Sequence, residues 1–115
     1  IRDSFEVAKS LGVSIPRSNI CGGGAKSPLW KKMIANILNV KVDVIESEEG
    51  PALGGAMLAA VANGEFASVE DAAAKIVKII DTVEPDPELV EKYEARYQQF
   101  KQIYPACKEL FPKLQ

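Results

Sequence analysis

The sequence predicts an α/β fold in which helices dominate and about two strands are visible. Residues 19–21 form a short apolar stretch that predicts a buried strand, and residues 40–46 alternate valine with other side chains, as strands do. Between them, apolar residues recur at helical spacing over residues 29–38. A strand, a helix and a second strand make a βαβ unit, so we expect the two strands to lie parallel.

Helical spacing of apolar residues predicts further helices over residues 1–11, 52–62, 68–80 and 89–104. Gly12 is expected to end the first of these and Asn63-Gly64 the second, because both suit a helix C-terminus. Ser68 and Asp71 resemble a capping box that opens the third. Pro105 must kink or end the last one, since it has no N–H for the helical hydrogen bond.

Composition and charge exclude several classes of partner. The chain has 115 residues, the size of one domain, and its formal net charge is −2. This charge gives no electrostatic basis for binding nucleic acid or an anionic membrane. No apolar run approaches the roughly 18 residues that a membrane span needs. We therefore expect a cytoplasmic protein with neither nucleic acid nor membrane as a partner.

The sequence contains no histidine, which excludes histidine-based acid–base catalysis and histidine metal ligands. Cys21 and Cys107 lie far apart in apolar surroundings, and two distant cysteines make a poor zinc site. We expect buried free thiols rather than a disulfide. No metal site is predicted within this chain.

The most informative motif is the run of three glycines, Gly22-Gly23-Gly24, between the first strand and the helix that follows. Glycine loses much backbone freedom on folding, so such a run suits a sharp bend or a close approach to bare backbone. Ser27 is a good helix N-cap, and Pro28 suits the first helical position. A glycine turn that leads into a helix N-terminus is a place where a nucleotide can bind.

Two other nucleotide motifs resemble this loop in part. Gly22-x-Gly24 follows a strand, and Glu46 ends the next strand where a dinucleotide fold would place an acidic ribose ligand. Ser27, however, stands at the third glycine position of that fingerprint. A P-loop is excluded, because Ala25 replaces the glycine before the lysine. A NAD-binding dehydrogenase stays open as an alternative, as does a non-catalytic oligomerisation or interaction domain.

A second motif lies downstream, in the segment Glu48-Glu49-Gly50-Pro51-Ala52-Leu53-Gly54-Gly55-Ala56. Together, residues 22–30 and 48–56 resemble two motifs of the FGGY carbohydrate kinases. The first resembles their adenosine-contacting loop, and the second resembles their glutamate-rich turn and Ala-Leu-Gly-Ala-Ala helix. Residues 2–4 and 93–106 resemble the helices that precede the loop and close the family's fold. The wording of the glycine loop is most like that of the members that phosphorylate xylulose.

The resemblance implies that residues 1–115 are the C-terminal portion of the second, ribonuclease-H-like (actin-like ATPase) domain of such a kinase. The whole enzyme would transfer the γ-phosphoryl group of MgATP to a sugar hydroxyl, converting D-xylulose to D-xylulose 5-phosphate. By similarity, four residues would lie against the adenosine and the proximal phosphate of ATP or ADP: Gly22, Gly23, Gly24 and Ala25. Ser27 would make a neighbouring polar contact to the nucleotide.

The same resemblance implies that the catalytic carboxylate lies upstream of Ile1, in an absent N-terminal part that also binds the sugar. Mg²⁺ would be bound mainly by residues outside this chain. We therefore expect no catalytic residue here, and the fragment alone should be inactive. The open strand edges of so short a sheet would allow pairing with another copy, as a homodimer.

Packing roles are predicted for several of the remaining side chains. Trp30 lies on the apolar helix face and is expected in the core, whereas residues 46–49 should form a solvated acidic turn. Gly54 and Gly55 are expected to allow close helix packing near the glycine loop. The opposite, polar side of the 29–38 helix should carry Lys31, Lys32 and Asn36. A packing stripe is predicted for Tyr93, Tyr97 and Tyr104.

Overall fold

The computed structural model describes residues 1–47 and 49–114, and within them it confirms a helix-rich α/β fold. The strands are β1 (Arg17–Ile20), β2 (Lys41–Ile45) and β3 (Ile79–Val83). The α-helices are α1 (Arg2–Ser10), α2 (Pro28–Leu38), α3 (Gly50–Ala62), α4 (Val69–Ile76), α5 (Pro87–Phe100) and α6 (Ile103–Cys107). The predicted helix starts and stops agree with most of these bounds, and Gly12 and Gly64 have the positive φ values of helix C-termini.

The three strands form one sheet in the order β1-β2-β3. β1 and β2 are parallel, with Ser18 opposite Val42, so the predicted βαβ unit is confirmed. β3 runs antiparallel to β2, with Asp81 opposite Val44. β2 is therefore the central strand, and its carboxyl end lies beside the carboxyl end of β1.

The single helix predicted over residues 68–80 is wrong in its last turn, residues 77–80. α4 ends at Ile76, and the chain then enters β3, so the described sheet has three strands where the sequence predicted about two. The segment 79–83 is rich in β-branched residues, which favour strands. Hydrogen bonding to β2 stabilises the extended form of this segment. The spacing of apolar residues alone does not distinguish a helix from a strand in so short a segment.

The core lies between β2 and α2. Val40, Val42 and Val44 are all buried, as the period-2 pattern predicted. Val40 and Val42 form an apolar cluster with Ala35 and Leu38 of α2, and the burial of this cluster holds α2 across the parallel pair of strands.

Asn36 departs from its predicted place on the polar side of α2. Its side chain is buried, and its Oδ1 accepts a hydrogen bond from the backbone N–H of Asp86 at 2.7 Å. Asp86 in turn caps α5, because its Oδ1 accepts from the N–H of Glu88 at 2.9 Å. The amide of Asn36 therefore fixes the position at which α5 starts.

Asp43 is the buried charge of the sheet. It is 0% exposed and points away from the valine side chains that flank it in β2. Arg17 of β1 donates to both carboxylate oxygens, and the Nη2···Oδ1 distance is 2.9 Å. Thr82 of β3 donates to Oδ1 at 2.6 Å. Hydrogen bonds from Arg17, and then from Thr82, hold the pKa of Asp43 below its ordinary value.

Helices α1 and α5 are joined by a cluster of polar side chains. Arg2 pairs with Glu94, and its guanidinium lies 4.0 Å from the centre of the Tyr97 ring. The Tyr97 hydroxyl donates to Asp3 at 2.6 Å, which raises the pKa of Tyr97 to about 12. The predicted tyrosine stripe is thus only partly present, because Tyr104 is 63% exposed.

α3 is apolar over most of its surface but contributes no buried residue. A Cβ on Gly54 or Gly55 would meet no described atom within 4 Å, so the close packing predicted there is not found among the described residues. No helix in residues 1–47 and 49–114 combines the length and apolar character that crossing a membrane requires.

The chain exposes more surface than a compact domain of its length. Its radius of gyration is 18.2 Å, against about 13 Å for a compact domain of this size. Its accessible surface is 8362 Å², against about 6,200 Å² for a folded monomer of this mass. Large apolar side chains on that surface include Leu11, Leu58, Phe100 and Phe111. The described residues therefore leave much apolar area uncovered.

We predict that Asp43→Asn destabilises the protein at pH 7 by about 1–3 kcal/mol, because the buried side chain at this position would no longer offer two charged acceptor oxygens to Arg17 and Thr82. The folded-state pKa of Asp43 lies below the unfolded value of about 3.9, so its contribution is complete above about pH 5 and is lost as the pH falls further. Urea unfolding at several pH values tests this. The difference in the free energy of unfolding between the wild type and Asp43→Asn should shrink as the pH falls.

The exposed carboxylate of Glu84, which pairs with Lys41 at 2.9 Å, provides the matched control. Glu84→Gln should change the free energy of unfolding by less than about 1 kcal/mol. An Asp43→Asn protein as stable as the wild type at pH 7 would contradict the structural role of this carboxylate.

Candidate functional site

A cavity of about 370 Å³ opens where the carboxyl ends of β1 and β2 meet. One wall is the glycine loop, and the others come from α2, the end of β2 and the start of β3. The lining residues are Cys21, Gly22, Ala25, Lys26, Lys31, Val44, Ile45, Glu46, Ser47, Ile80 and Asp81. Ligands of open α/β sheets bind at this end of parallel strands, which makes the cavity the candidate site.

Gly22 forms the bend between β1 and the loop. Its φ is 77° and its ψ is −168°, a conformation that side chains with a Cβ rarely adopt. It precedes a 3-10 turn, Gly23–Lys26, in which the N–H of Ala25 donates to the carbonyl of Gly22 at 3.0 Å. The sharp bend expected of the glycine run is confirmed at this residue.

Gly24 lies directly against a neighbouring side chain. A Cβ at this position would lie 2.9 Å from Cδ1 and 3.0 Å from Nε1 of Trp30, which is closer than such contacts normally come. Trp30 itself is 49% exposed, so its predicted place in the core is wrong. The indole covers the glycine loop instead of entering the space between α2 and the sheet.

Gly23 has neither the positive φ of Gly22 nor the close side-chain neighbour of Gly24. Its backbone is outside the left-handed region, and a Cβ there would meet no described atom within 4 Å. The residue is exposed at the mouth of the loop. Nothing in the described fold demands glycine at this position, and its bare backbone stays accessible.

Ser27 is confirmed as the N-cap of α2. Its Oγ accepts a hydrogen bond from the N–H of Trp30 at 3.3 Å, and Pro28 occupies the first helical position. Of the five residues predicted to contact a nucleotide, Gly22 and Ala25 line the cavity. The other three, Gly23, Gly24 and Ser27, lie beside it and are exposed. The predicted nucleotide contact of Ser27 stays a prediction.

The second sequence motif meets the first at Cys21. A Cβ on Gly50, at the start of α3, would collide with the Cys21 Sγ, so glycine at this position lets α3 approach the residue before the glycine loop. Cys21 and Cys107 are free thiols, as expected, but Cys21 is exposed, so its predicted burial is wrong. Glu48 of the predicted acidic turn lies outside the described residues, whereas Glu46 and Glu49 are exposed as predicted.

Two ion pairs belong to the cavity. The Nζ of Lys31 lies 2.7 Å from Oδ2 of Asp81, and the Lys31 side chain is only 14% exposed. This hydrogen bond lowers the pKa of Asp81 below its ordinary value. Glu46 pairs more loosely with Lys78, at 3.6 Å, and both side chains are more than 60% exposed.

The prediction that placed Lys31 on the polar side of α2 missed its role in the cavity. β3 was not predicted, so the sequence offered no partner that would draw the ammonium group toward the sheet. No local signal reveals this role, because it depends on Asp81, which lies fifty residues away along the chain.

A larger crevice of about 830 Å³ lies at the other end of α2, between α1 and α5. Its lining includes Arg2 and Glu94, which already pair with each other, and none of the glycine-loop residues. The crevice is therefore a poorer candidate than the cavity at the strand ends.

Comparisons with known proteins agree on one family. Residues 1–63 match the model of the FGGY family of carbohydrate kinases, C-terminal domain. The xylulose kinase of Bacillus subtilis is 36% identical over 110 residues, which are 96% of this chain and 22% of that protein. The chain thus spans about a fifth of the length of the curated relatives it matches.

Solved structures give the same result for the fold. A ligand-bound xylulose kinase from Lactobacillus acidophilus superposes with a TM-score of 0.81 at 20% identity, over 99% of this chain and 24% of that one. The xylulose kinase from Rhodospirillum rubrum gives a TM-score of 0.78 at 27% identity, over 96% of this chain and 22% of that one.

We predict different stability effects at neighbouring glycines of the loop. Gly22→Ala should cost about 1–2 kcal/mol, because alanine is strained at a φ of 77°. Gly23→Ala should leave stability within about 0.5 kcal/mol of the wild type, because its Cβ meets only open space. Thermal unfolding of the two variants measures the difference. Equal losses in both would contradict the loop conformation described above.

Proposed function

This chain belongs to the FGGY family of carbohydrate kinases, and we propose that it is the nucleotide-binding part of a cytoplasmic sugar kinase. The whole protein would transfer the γ-phosphoryl group of ATP to a sugar hydroxyl. The part played by residues 1–115 is to hold the nucleotide, with its adenosine and proximal phosphate against Gly22, Gly23, Gly24 and Ala25. Ser27 would add a polar contact through its hydroxyl.

The accessible backbone at Gly23 is the observation that best supports nucleotide binding. Gly22 is explained by its positive φ and Gly24 by Trp30, but no described contact explains Gly23. A ligand that lies directly against the main chain would explain it, since a Cβ would separate the two. Backbone N–H groups of such a loop suit the negative charge of a phosphate.

We propose that the remaining groups of a phosphoryl-transfer site lie outside residues 1–115. That chemistry needs a metal ion, a cationic clamp and a base on the acceptor. Among the described residues, no three Cys, Asp or Glu side chains are placed to hold a metal ion. We therefore propose that the base and the sugar site, together with most Mg²⁺ ligands, lie in other parts of the protein, and that this fragment alone is inactive.

This division of labour fits a chain that forms the C-terminal portion of a second, actin-like domain. The large radius of gyration and the uncovered apolar surface support a larger domain around it. The relatives, which are about five times as long, support the same view. In the whole protein, added layers would cover α3 and the outer edge of β1.

We propose D-xylulose as the acceptor, with D-xylulose 5-phosphate as the product. The names of the relatives support this, since the proteins of Bacillus subtilis and Staphylococcus epidermidis are xylulose kinases. ATP-dependent phosphorylation by the full-length protein tests the proposal. A panel of D-xylulose, ribulose, gluconate and glycerol would be assayed by coupled release of ADP. Failure of the protein to phosphorylate D-xylulose, or a clear preference for another sugar, would contradict the proposal.

Membership of a kinase family favours ATP over the dinucleotide alternative. Calorimetric titration of the full-length protein with ADP and with NADH separates the two, because only one nucleotide should bind. Binding of NADH without ADP would contradict the kinase proposal. A stable oligomer that binds neither would instead favour an interaction domain.

Gly23→Ala provides the sharpest test of nucleotide contact, because the fold does not require glycine at this position. We expect its melting temperature to match that of the wild type, whereas its affinity for ADP should fall about tenfold or more as the Cβ keeps the nucleotide from the backbone. Isothermal titration measures the affinity. Gly64→Ala, at a helix end far along the chain, is the control that should lose stability without a selective loss of ADP affinity.

A further inference from the structure

We propose that Asp81 accepts a hydrogen bond from a ribose hydroxyl of the bound nucleotide, and thereby makes the cavity selective for ribonucleotides over deoxyribonucleotides. The inference rests on the proposed function, since it assigns a role within the same site. Asp81 comes from β3, a strand that neither nucleotide motif contains.

The register of the sheet places Asp81 at the cavity. Asp81 lies opposite Val44 of β2, so the two side chains lie on the same face of the sheet, the face that α2 covers. Both residues line the cavity, together with Gly22 and Ala25 of the glycine loop. A nucleoside that lies against the loop therefore faces Asp81 across a space of about 370 Å³, a size common for small-molecule pockets.

Lys31 holds the carboxylate in place. Its Nζ donates to Oδ2 at 2.7 Å, and the lysine side chain is largely buried, which limits the conformations of the pair. A carboxylate has about four lone-pair positions, so the lysine leaves Asp81 able to accept further hydrogen bonds. Asp81 is 49% exposed, and this exposed part is accessible to a ligand.

The cavity offers hydrogen-bond acceptors for sugar hydroxyl groups. The carboxylates of Asp81 and Glu46 line it together with the ammonium groups of Lys26 and Lys31, and carboxylates accept hydrogen bonds from hydroxyl groups. Glu46 is the weaker of the two candidates, because its side chain is 62% exposed and its partner Lys78 lies 3.6 Å away. Asp81 is therefore the better-positioned acceptor for the ribose.

Isothermal titration of the full-length protein with ADP, 2′-deoxy-ADP and 3′-deoxy-ADP tests the assignment. The wild type should bind at least one deoxynucleotide about tenfold more weakly than ADP, the effect of losing one hydrogen bond to a charged group. Asp81→Ala should bind ADP about tenfold more weakly and should no longer distinguish it from that deoxynucleotide. Lys31→Met, which frees the carboxylate, should reduce the discrimination without abolishing it.

Glu84→Ala is the matched control, since it removes an exposed, lysine-paired carboxylate that does not line the cavity. It should keep both the ADP affinity and the discrimination. Melting temperatures identify any variant that fails to fold, and Asp81→Val, which suits a strand and lacks any acceptor oxygen, then replaces Asp81→Ala.

The outcomes separate the two proposals. If the wild type binds ADP but binds both deoxynucleotides equally well, or if Asp81→Ala keeps the discrimination, the ribose contact is overturned and nucleotide binding stands. If the wild type binds no ADP, the proposed function and the ribose contact both fail.

Discussion

The central strand β2 connects the apolar core, the buried carboxylate of the sheet and the strand ends that form the candidate site. Its Val42 packs in the core with Val40 and with Ala35 and Leu38 of α2. Asp43, on the opposite face, accepts hydrogen bonds from Arg17 and Thr82 on the two neighbouring strands. A buried carboxylate must be fully hydrogen-bonded, so all three strands are held in one register. That register brings the ends of β1 and β2 together and sets Asp81 of β3 beside them.

The glycine loop shows how one motif can contain glycines that serve different physical purposes. Gly22 allows a backbone bend, and Gly24 leaves room for the Trp30 indole. Gly23 has no such role within the described fold, and the proposed function assigns its bare backbone to the nucleotide. At the start of α3, Gly50 packs on Cys21 and links the second motif to the same loop. Glycines that the fold uses therefore lie directly beside the one that the proposed function assigns to the nucleotide.

The open surface of the chain and its family membership have a common explanation. An apolar helix such as α3, without buried residues of its own, is stable when other layers cover it. Relatives about five times as long provide room for such layers, and for the charged groups that phosphoryl transfer requires. A nucleotide-holding element of this kind separates the task of binding from the chemistry, which is carried elsewhere in the proposed kinase.

The sequence by itself determined the α/β class, the parallel pair around α2, the helix caps and the glycine loop. Each of these depends on local patterns, such as the valines at 40, 42 and 44 or the Ser27-Pro28 cap. Only the tertiary structure decided that residues 79–83 form β3, that Asn36 is buried and that Trp30 is not. It also brought Lys31 to Asp81, fifty residues along the chain. These outcomes depend on partners distant in sequence, and local spacing contains no information about them.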